Sequence, residues 1–273
     1  MRLRKLSLAL IVVACAPATR GSSDHLRVLV YNIHAGKDAQ AADNLQRVAS
    51  IVRDSDADIV LLQEVDRGTT RSGNVDQVER LRSLTGFHAA FGKTLDYQGG
   101  QYGIAVLTRW TISSDTLIHL PVEPPQHRSG VSYEPRGALR VAVESPAGRI
   151  HVLNTHIDAS REDTYRMQEA RTVIAIADTL RRGTGVVLVG GDLNSEPKSA
   201  VIGQFNAAGW RDNWTKCGNG SGFSYPADVP VKRIDYLLTS GEMRCAKASV
   251  IETQASDHRP VLFELILPLK ARR

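Results

Sequence analysis

The stretch Val186–Pro197, VVLVGGDLNSEP, decides the fold. Val186 to Val189 form a short, continuous apolar run, the mark of a strand buried on both faces. Two glycines follow, then an acid and an amide two residues apart, Asp192 and Asn194. Ordinary turn residues would suffice to end a buried strand. A carboxylate and an amide at that point indicate a rigid sheet that carries chemistry at one edge. Side-chain direction repeats every two residues in an extended chain, so Asp192 and Asn194 are expected on one side of an extended segment. The glycines are expected to let the backbone pass close to that site.

Outward from this stretch, short apolar runs alternate with amphipathic segments. LRVLVYN (Leu26–Asn32), DIVLLQE (Asp58–Glu64), RIDYLLT, KASVIET and PVLFELIL read as further strands. YGIAVLT, TISSDTLIHL, GALRVAVES and RIHVLNTH follow one another with short connections, which suits antiparallel pairing. Asp43 is placed to cap a helix whose Leu45, Val48, Ala49 and Val52 share one face. A second helix, DQVERLRSLTG, is expected to end at Gly86. A long helix over 162–181 and a short one near 198–207 complete the set. The pattern is one α/β domain over residues 26–269, with two packed sheets and helices outside.

The 273 residues are 42% hydrophobic and 23% charged, a globular composition. The net charge of +5 is concentrated at the front, in Arg2, Arg4 and Lys5. Without residues 1–14, thirty-one basic residues face twenty-nine acidic ones, too even a balance for the basic footprint of a nucleic-acid binder. MRLRK followed by LSLALIVVA reads as a signal peptide over residues 1–14, its apolar run too short to span a bilayer. VVAC, ending at Cys15, resembles a bacterial lipoprotein signal, with residues 15–25 as a polar tether; plain secretion with cleavage after a nearby Ala is the other reading. The chain is therefore expected to be exported, to the periplasm or onto a membrane through a lipid on Cys15, or secreted. Export leaves Cys217 and Cys245 as a candidate disulfide, two separate thiols being the alternative.

Polar residues stand where six apolar runs meet the surface. They are Asn32 and His34, Glu64, Asn154 and His156, Asp192 and Asn194, Asp235, and Asp257 with His258 opening the last strand. Glu, Asp and Asn offer the hard oxygens that suit Mg²⁺ or Mn²⁺. His beside Asp suits an imidazole base or phosphate donor held by an acid. No G-x-S-x-G and no phosphate-binding Gly-Lys loop is present, which argues against a serine hydrolase or an NTPase.

With YNIH, LLQEVDR, YGIAVLT, LNTHID, GGDLNSEP, RIDYLL and SDHRPV in this order, the chain resembles the endonuclease/exonuclease/phosphatase superfamily, closest to exported bacterial metal-dependent hydrolases. The resemblance implies a four-layer α/β sandwich: two central mixed, mainly antiparallel β-sheets flanked by helices, with a metal site at one edge. It implies a Mg²⁺ ligand at Glu64, with Asn32 and Asp257 near it, Mn²⁺ being an alternative ion. Asp192 and Asn194 match the pair that orients water and phosphate, His156 a phosphate contact, His258 the imidazole at the scissile phosphate, and Asp235 the acid that orients it. The implied reaction is in-line attack of water on phosphorus in a phosphate ester, with a phosphodiester favoured. A nuclease is disfavoured by charge and by the few aromatics, and a catalytically silent binding protein is the rival of a different class. A lipid anchor would bring a membrane surface within reach, and a monomer is expected.

Lesser candidates are weighed beside these. His34 shares the strand-end face or simply meets solvent. Arg136 could clamp a phosphate or stand as a plain surface arginine. Asp66 and Arg67 read as a solvated turn, Asp158 as an extra acid on the metal side, Arg233 as pointing away, and Trp210 and Trp214 as core anchors. Asn213 and Asn219 match N-x-S/T only by composition.

Overall fold

The computed structural model describes residues 24–123, 134–183, 185–241 and 243–268. The expected signal peptide, Cys15, most of the tether and residue 269 lie outside the described residues.

In chain order the elements are β1 (His25–Asn32), α1 (Leu45–Asp54), β2 (Ile59–Arg67), α2 (Gln77–Thr85), β3 (His88–Tyr97), β4 (Gly100–Thr108), β5 (Ile112–His119), β6 (Gly137–Ser145) and β7 (Gly148–His156). They continue with α3 (Thr164–Arg181), β8 (Val186–Asp192), α4 (Ala200–Ala207), β9 (Trp210–Asp212), α5 (Asn213–Cys217), β10 (Asp235–Ser240), β11 (Arg244–Val250) and β12 (Val261–Ile266). Two six-stranded sheets result, in the orders β11-β12-β1-β2-β4-β3 and β5-β6-β7-β8-β10-β9. Each is mixed, with one parallel pair, β1 with β2 and β7 with β8, among antiparallel neighbours.

The strands bury both faces because two different layers cover them. Val28 and Val30 of β1, Val152 of β7, Leu188 of β8 and Leu237 of β10 pack into the core between the sheets. The alternate residues Leu29 and Tyr31 face outward under Leu45, Val48, Ala49 and Val52 of α1 and Leu81 of α2. On the far side Val187, Val189, Tyr236 and Leu238 meet Ala170, Val173 and Ala177 of α3 and Ile202 and Phe205 of α4. Each fully buried Leu or Val stabilises by about 1.5–3 kcal/mol relative to exposure, so the four-layer order follows from which faces are apolar. Cys217 at the end of α5 is joined to Cys245 of β11, with Cα atoms 5.6 Å apart, which ties the second sheet's flank to the first.

Several expectations are corrected. Asn44, not Asp43, occupies the N-cap of α1, and its amide is turned away to Ile33 O and Ala255 O. Asp43 accepts the Leu45 N–H at 3.3 Å. Helix α2 ends as expected at Gly86, which takes a left-handed conformation after the last turn, and Asp76 caps its start by accepting from Glu79 N. Strands β4 to β7 do not form one antiparallel run, since β4 pairs with β2 and β3 while β5, β6 and β7 lie in the other sheet. Strands β3 and β9 and helix α5 went unread, β3 because it mixes Gly, Ala and charged residues with no sustained alternation. Asp66 is not a solvated turn residue: it is fully buried and takes two bonds of 2.8 Å from Arg71 and one of 2.6 Å from Thr69. Strand β2 therefore continues past Glu64 to Arg67. Trp210 and Trp214 are buried, and Asn213 is buried with its amide on Leu237 O.

Candidate active site

Strand register assembles the centre of the site. His156 of β7, Asp192 of β8 and Asp235 of β10 are direct neighbours across three adjacent strands. Residues opposite one another in a ladder point to the same face, so pairing alone brings two acids and an imidazole together. Gly191, at φ +133°, permits this approach, for a Cβ there would lie 1.8 Å from Thr155 O. The glycine thus serves the contact between β7 and β8 rather than a contact with substrate.

The loop before β12 supplies the fourth member. His258 does not open a strand, as expected, but lies ahead of it. Its Nδ1–H donates to Asp235 Oδ2 at 2.9 Å, and Ser224 Oγ donates to the same oxygen at 2.6 Å. That bond fixes the ring so that Nε2 faces Asp192 Oδ2 at 3.7 Å, while His156 Nε2 faces the same oxygen at 3.6 Å. One carboxylate oxygen is therefore flanked by two imidazoles. Tyr225 packs on His258 with ring centroids 4.7 Å apart.

Asn194 reaches the site by a route the sequence did not predict. The chain is not extended there: Asn194 has φ +41°, and its N–H folds back onto Asp192 Oδ1 at 2.9 Å. The amide Nδ2 lies 3.0 Å from Ile157 O and 3.1 Å from His156 Nε2.

Glu64 comes from the first sheet. It sits on a β-bulge between Leu62 and Val65 with φ +54°, where the extra residue turns its side chain out of the ladder. The bulge disturbs the pairing of β2 with β4, and Asn154 of β7 covers it from the opposite sheet. Its buried Nδ2 donates to Leu62 O at 2.9 Å and to Ala105 O at 2.8 Å, and its Oδ1 accepts from Gln63. Asn154 is thus a clamp on the bulge. Asn32 Nδ2 donates to both Glu64 Oε1, 3.0 Å, and Asp192 Oδ2, 3.1 Å, joining the two sheets at the site.

Asp257 is half-buried, with Ser256 Oγ 3.2 Å from its Oδ1 and His34 Nδ1 at 3.9 Å. His34 is 43% exposed and belongs to the turn after β1 rather than to the buried centre. Arg136 is buried at 4% exposure, with Nη1 on His156 Nδ1 at 3.0 Å and on Glu134 at 3.3 Å, so it is no surface arginine. Asp158 Oδ2 accepts from Ser160 N at 3.0 Å, and its backbone N–H donates to Glu169 of α3 at 2.7 Å. Arg233 pairs with the buried Asp212, away from the site. Ser224, Tyr225 and the clamping role of Asn154 carried no sequence signal beyond polarity. A cavity of about 720 Å³ opens over Glu64, Asp192, Asn194, Asp257 and the two histidines.

The electrostatics follow from these contacts. Burial, reinforced by the charge of Asp235, pushes Asp192 up to about 7. For His258 burial works against the charged ring, but the charge and hydrogen bond of Asp235, with Asp192 and Asp257 behind it, prevail and push it up to about 10. His156 is held well below the ordinary histidine value by burial and by the charge of Arg136. Tyr225 is raised by burial and, after that, by the charges of Asp257, Glu64, Asp192 and Asp228.

Glu64, Asp192 and Asp257 line one cavity, and carboxylate oxygens of this kind suit a hard divalent cation. Among the described residues, Asp192, Asp235 and His258 have ligand atoms within 4.8 Å of one another. Asp235 Oδ2 and His258 Nδ1 of that group are already joined by a hydrogen bond. On the other flank of the cavity the Asn32 amide meets Glu64 at 3.0 Å.

A family model described as Endonuclease/Exonuclease/phosphatase family matches residues 29–258. No curated protein matches the chain. Among solved structures, an endonuclease/exonuclease/phosphatase from Beutenbergia cavernae is 23% identical, covering 89% of this chain and 72% of its own, with a TM-score of 0.75. A mannosyl-6-phosphatase from Bacteroides thetaiotaomicron is 20% identical over 89% of this chain and 100% of its own, with a TM-score of 0.72. The human Nocturnin catalytic domain with a bound sulfate is 17% identical over 90% and 94%, with a TM-score of 0.71. At these identities the likeness is one of fold.

Proposed function

We propose, from the premise that the chain belongs to the endonuclease/exonuclease/phosphatase family, whose members hydrolyse phosphate esters, that it is a Mg²⁺-dependent phosphodiesterase. The observation that carries this reading is the single Asp192 oxygen held between two imidazole Nε2 atoms at 3.6 and 3.7 Å.

Asp192 holds the attacking water and takes its proton as the water oxygen bonds to phosphorus and the ester P–O bond breaks. A carboxylate raised to about 7 is matched to that task near neutral pH. His258, charged and fixed by Asp235, donates from Nε2 to a phosphoryl oxygen. Asn194 and His156 supply the remaining donors, each such donor being worth roughly 10²–10³ in rate. Glu64, with Asp257 and Asn32 beside it, would hold a divalent ion, which would supply Lewis-acid neutralisation of charge at the phosphate.

Of the five arginine and lysine side chains that line the cavity, Arg71, Arg136 and Arg166 each face a carboxylate, Asp66, Glu134 and Asp163 respectively, and the exposed Arg161 and Lys232 stand beside them. The diester is taken ahead of the monoester as the reading to be tested, and the assay below separates the two. The basic, apolar front of the chain supports export, with Cys15 as the anchor point, which mass analysis of the mature N-terminus would test.

The deciding assay offers bis-p-nitrophenyl phosphate, p-nitrophenyl phosphate, plasmid DNA and sphingomyelin with Mg²⁺, with Mn²⁺ and with EDTA. The reading expects the diester to be cleaved fastest, and EDTA and His258→Ala each to abolish the activity. Silence across the panel from a folded protein would contradict it.

A further inference from the structure

The two histidines at the site differ in what holds the ring nitrogen remote from Asp192. His258 Nδ1 meets a carboxylate, Asp235. His156 Nδ1 meets the guanidinium of Arg136, Nη1 at 3.0 Å. A guanidinium has only donors and does not lose its proton in a protein. The nitrogen it faces must therefore offer a lone pair, and a neutral imidazole has just one. We infer that Arg136 is a positioning residue that locks His156 as the neutral tautomer with its proton on Nε2, so that His156 presents an N–H donor to the phosphoryl group and serves neither as base nor as cation.

The remaining contacts of the ring pull in two directions, and the charged one prevails. Nε2 stands 3.6 Å from Asp192 Oδ2, an acceptor for that proton before substrate enters. The competing neighbour is Asn194 Nδ2, 3.1 Å from Nε2, which would ask the same nitrogen for a lone pair. Both demands cannot be met at once. Asn194 Nδ2 has an alternative acceptor in Ile157 O at 3.0 Å, whereas Arg136, buried beneath the ring, has its Nε without any partner and cannot afford to lose another bond. The charged donor decides the tautomer. His156 is then a neutral donor beside a charged His258, and the charge at phosphorus comes from one side only.

This inference rests on the phosphoryl-transfer reading for its consequence but not for its test. Two-bond ¹H–¹⁵N correlation spectra of the full chain labelled with ¹⁵N-histidine report which ring nitrogen bears the proton, with a His156→Gln spectrum to assign the signal. The expected result at neutral pH is a bare Nδ1 and a protonated Nε2 at His156. A proton on Nδ1, or on both nitrogens, overturns the inference whatever the enzyme's activity. In Arg136→Glu a carboxylate faces Nδ1 and draws the proton there, and kcat is expected to fall about 10²-fold, the scale of one lost donor, with KM little changed. Arg136→Lys, which keeps a charged donor, is expected to retain the Nε2–H tautomer and most of kcat. Equal losses in both variants would mark Arg136 as structural only. The wild-type spectrum decides the matter even if a variant does not fold.

Discussion

The regions around His258 and His156 approach the same carboxylate oxygen at nearly the same distance, 3.7 and 3.6 Å, yet they are built oppositely. Behind His258 stand Asp235 and Ser224, and the ring is pushed up to about 10. Behind His156 stands Arg136, and burial, with the Arg136 charge added to it, holds the ring well below the ordinary histidine value. The lesson is that burial does not set the charge of an imidazole by itself. Both rings are buried alike, and the group on the far nitrogen decides.

The largest effect is expected where the two regions share an atom. Asp192→Ala removes the acceptor that both rings face and is expected to lower kcat by about 10³–10⁴, the upper range for a general base, measured with bis-p-nitrophenyl phosphate. A loss no greater than that of a single donor would break the shared-oxygen picture.

Next comes Asp235→Asn, which sharpens the comparison by taking the charge from one side only. A folded-state value raised above the ordinary histidine value means that the contribution of the His258–Asp235 pair to stability is fully present below about 6.5 and is lost as pH rises through about 10. Without the Asp235 charge that window contracts. The basic limb of the pH–rate profile is expected to move to lower pH and kcat to fall about 10²-fold. An unmoved limb would show that His258 is not the charged donor.

Asn32→Ala tests the junction between the sheets, since one amide holds both Glu64 and Asp192. Loss of such a supporting bond is expected to weaken Mg²⁺ or Mn²⁺ affinity about 10–100-fold, read by metal titration. The smallest effect on activity is expected from Cys217→Ser with Cys245→Ser. Opening a closure of sequence separation 28 is expected to cost about 3–4 kcal/mol in denaturant unfolding while kcat stays unchanged.

The readability of this site from sequence divides along the same line. Asp192, Asp235 and His258 stand in short polar motifs beside apolar runs; strand pairing brings the two acids together, and His258 joins them from the loop before β12 through its bond to Asp235. Glu64 could be named but not placed, because nothing in LLQEVDR announces a bulge; the bulge is held by Asn154 from the other sheet. Asn194 was named for the wrong geometry, since an Asp–Asn turn and an extended Asp-x-Asn segment read alike. Arg136 could not be assigned a partner, because its contact with His156 arises from the pairing of β6 with β7, where Ala138 faces Thr155. Four layers of alternating strands and helices were legible because burial of apolar faces dictates them. The division of the central strands between two sheets was not, because short connections do not say which edge a strand joins.

The account turns on water attacking phosphorus at Asp192. The most direct measurement is hydrolysis of bis-p-nitrophenyl phosphate in ¹⁸O-labelled water with Mg²⁺, followed by mass analysis of both products. The account predicts one heavy oxygen in the p-nitrophenyl phosphate, none in the p-nitrophenol, and turnover lowered by about 10³–10⁴ with Asp192→Ala. Label in the p-nitrophenol, or undiminished turnover by that variant, would contradict it.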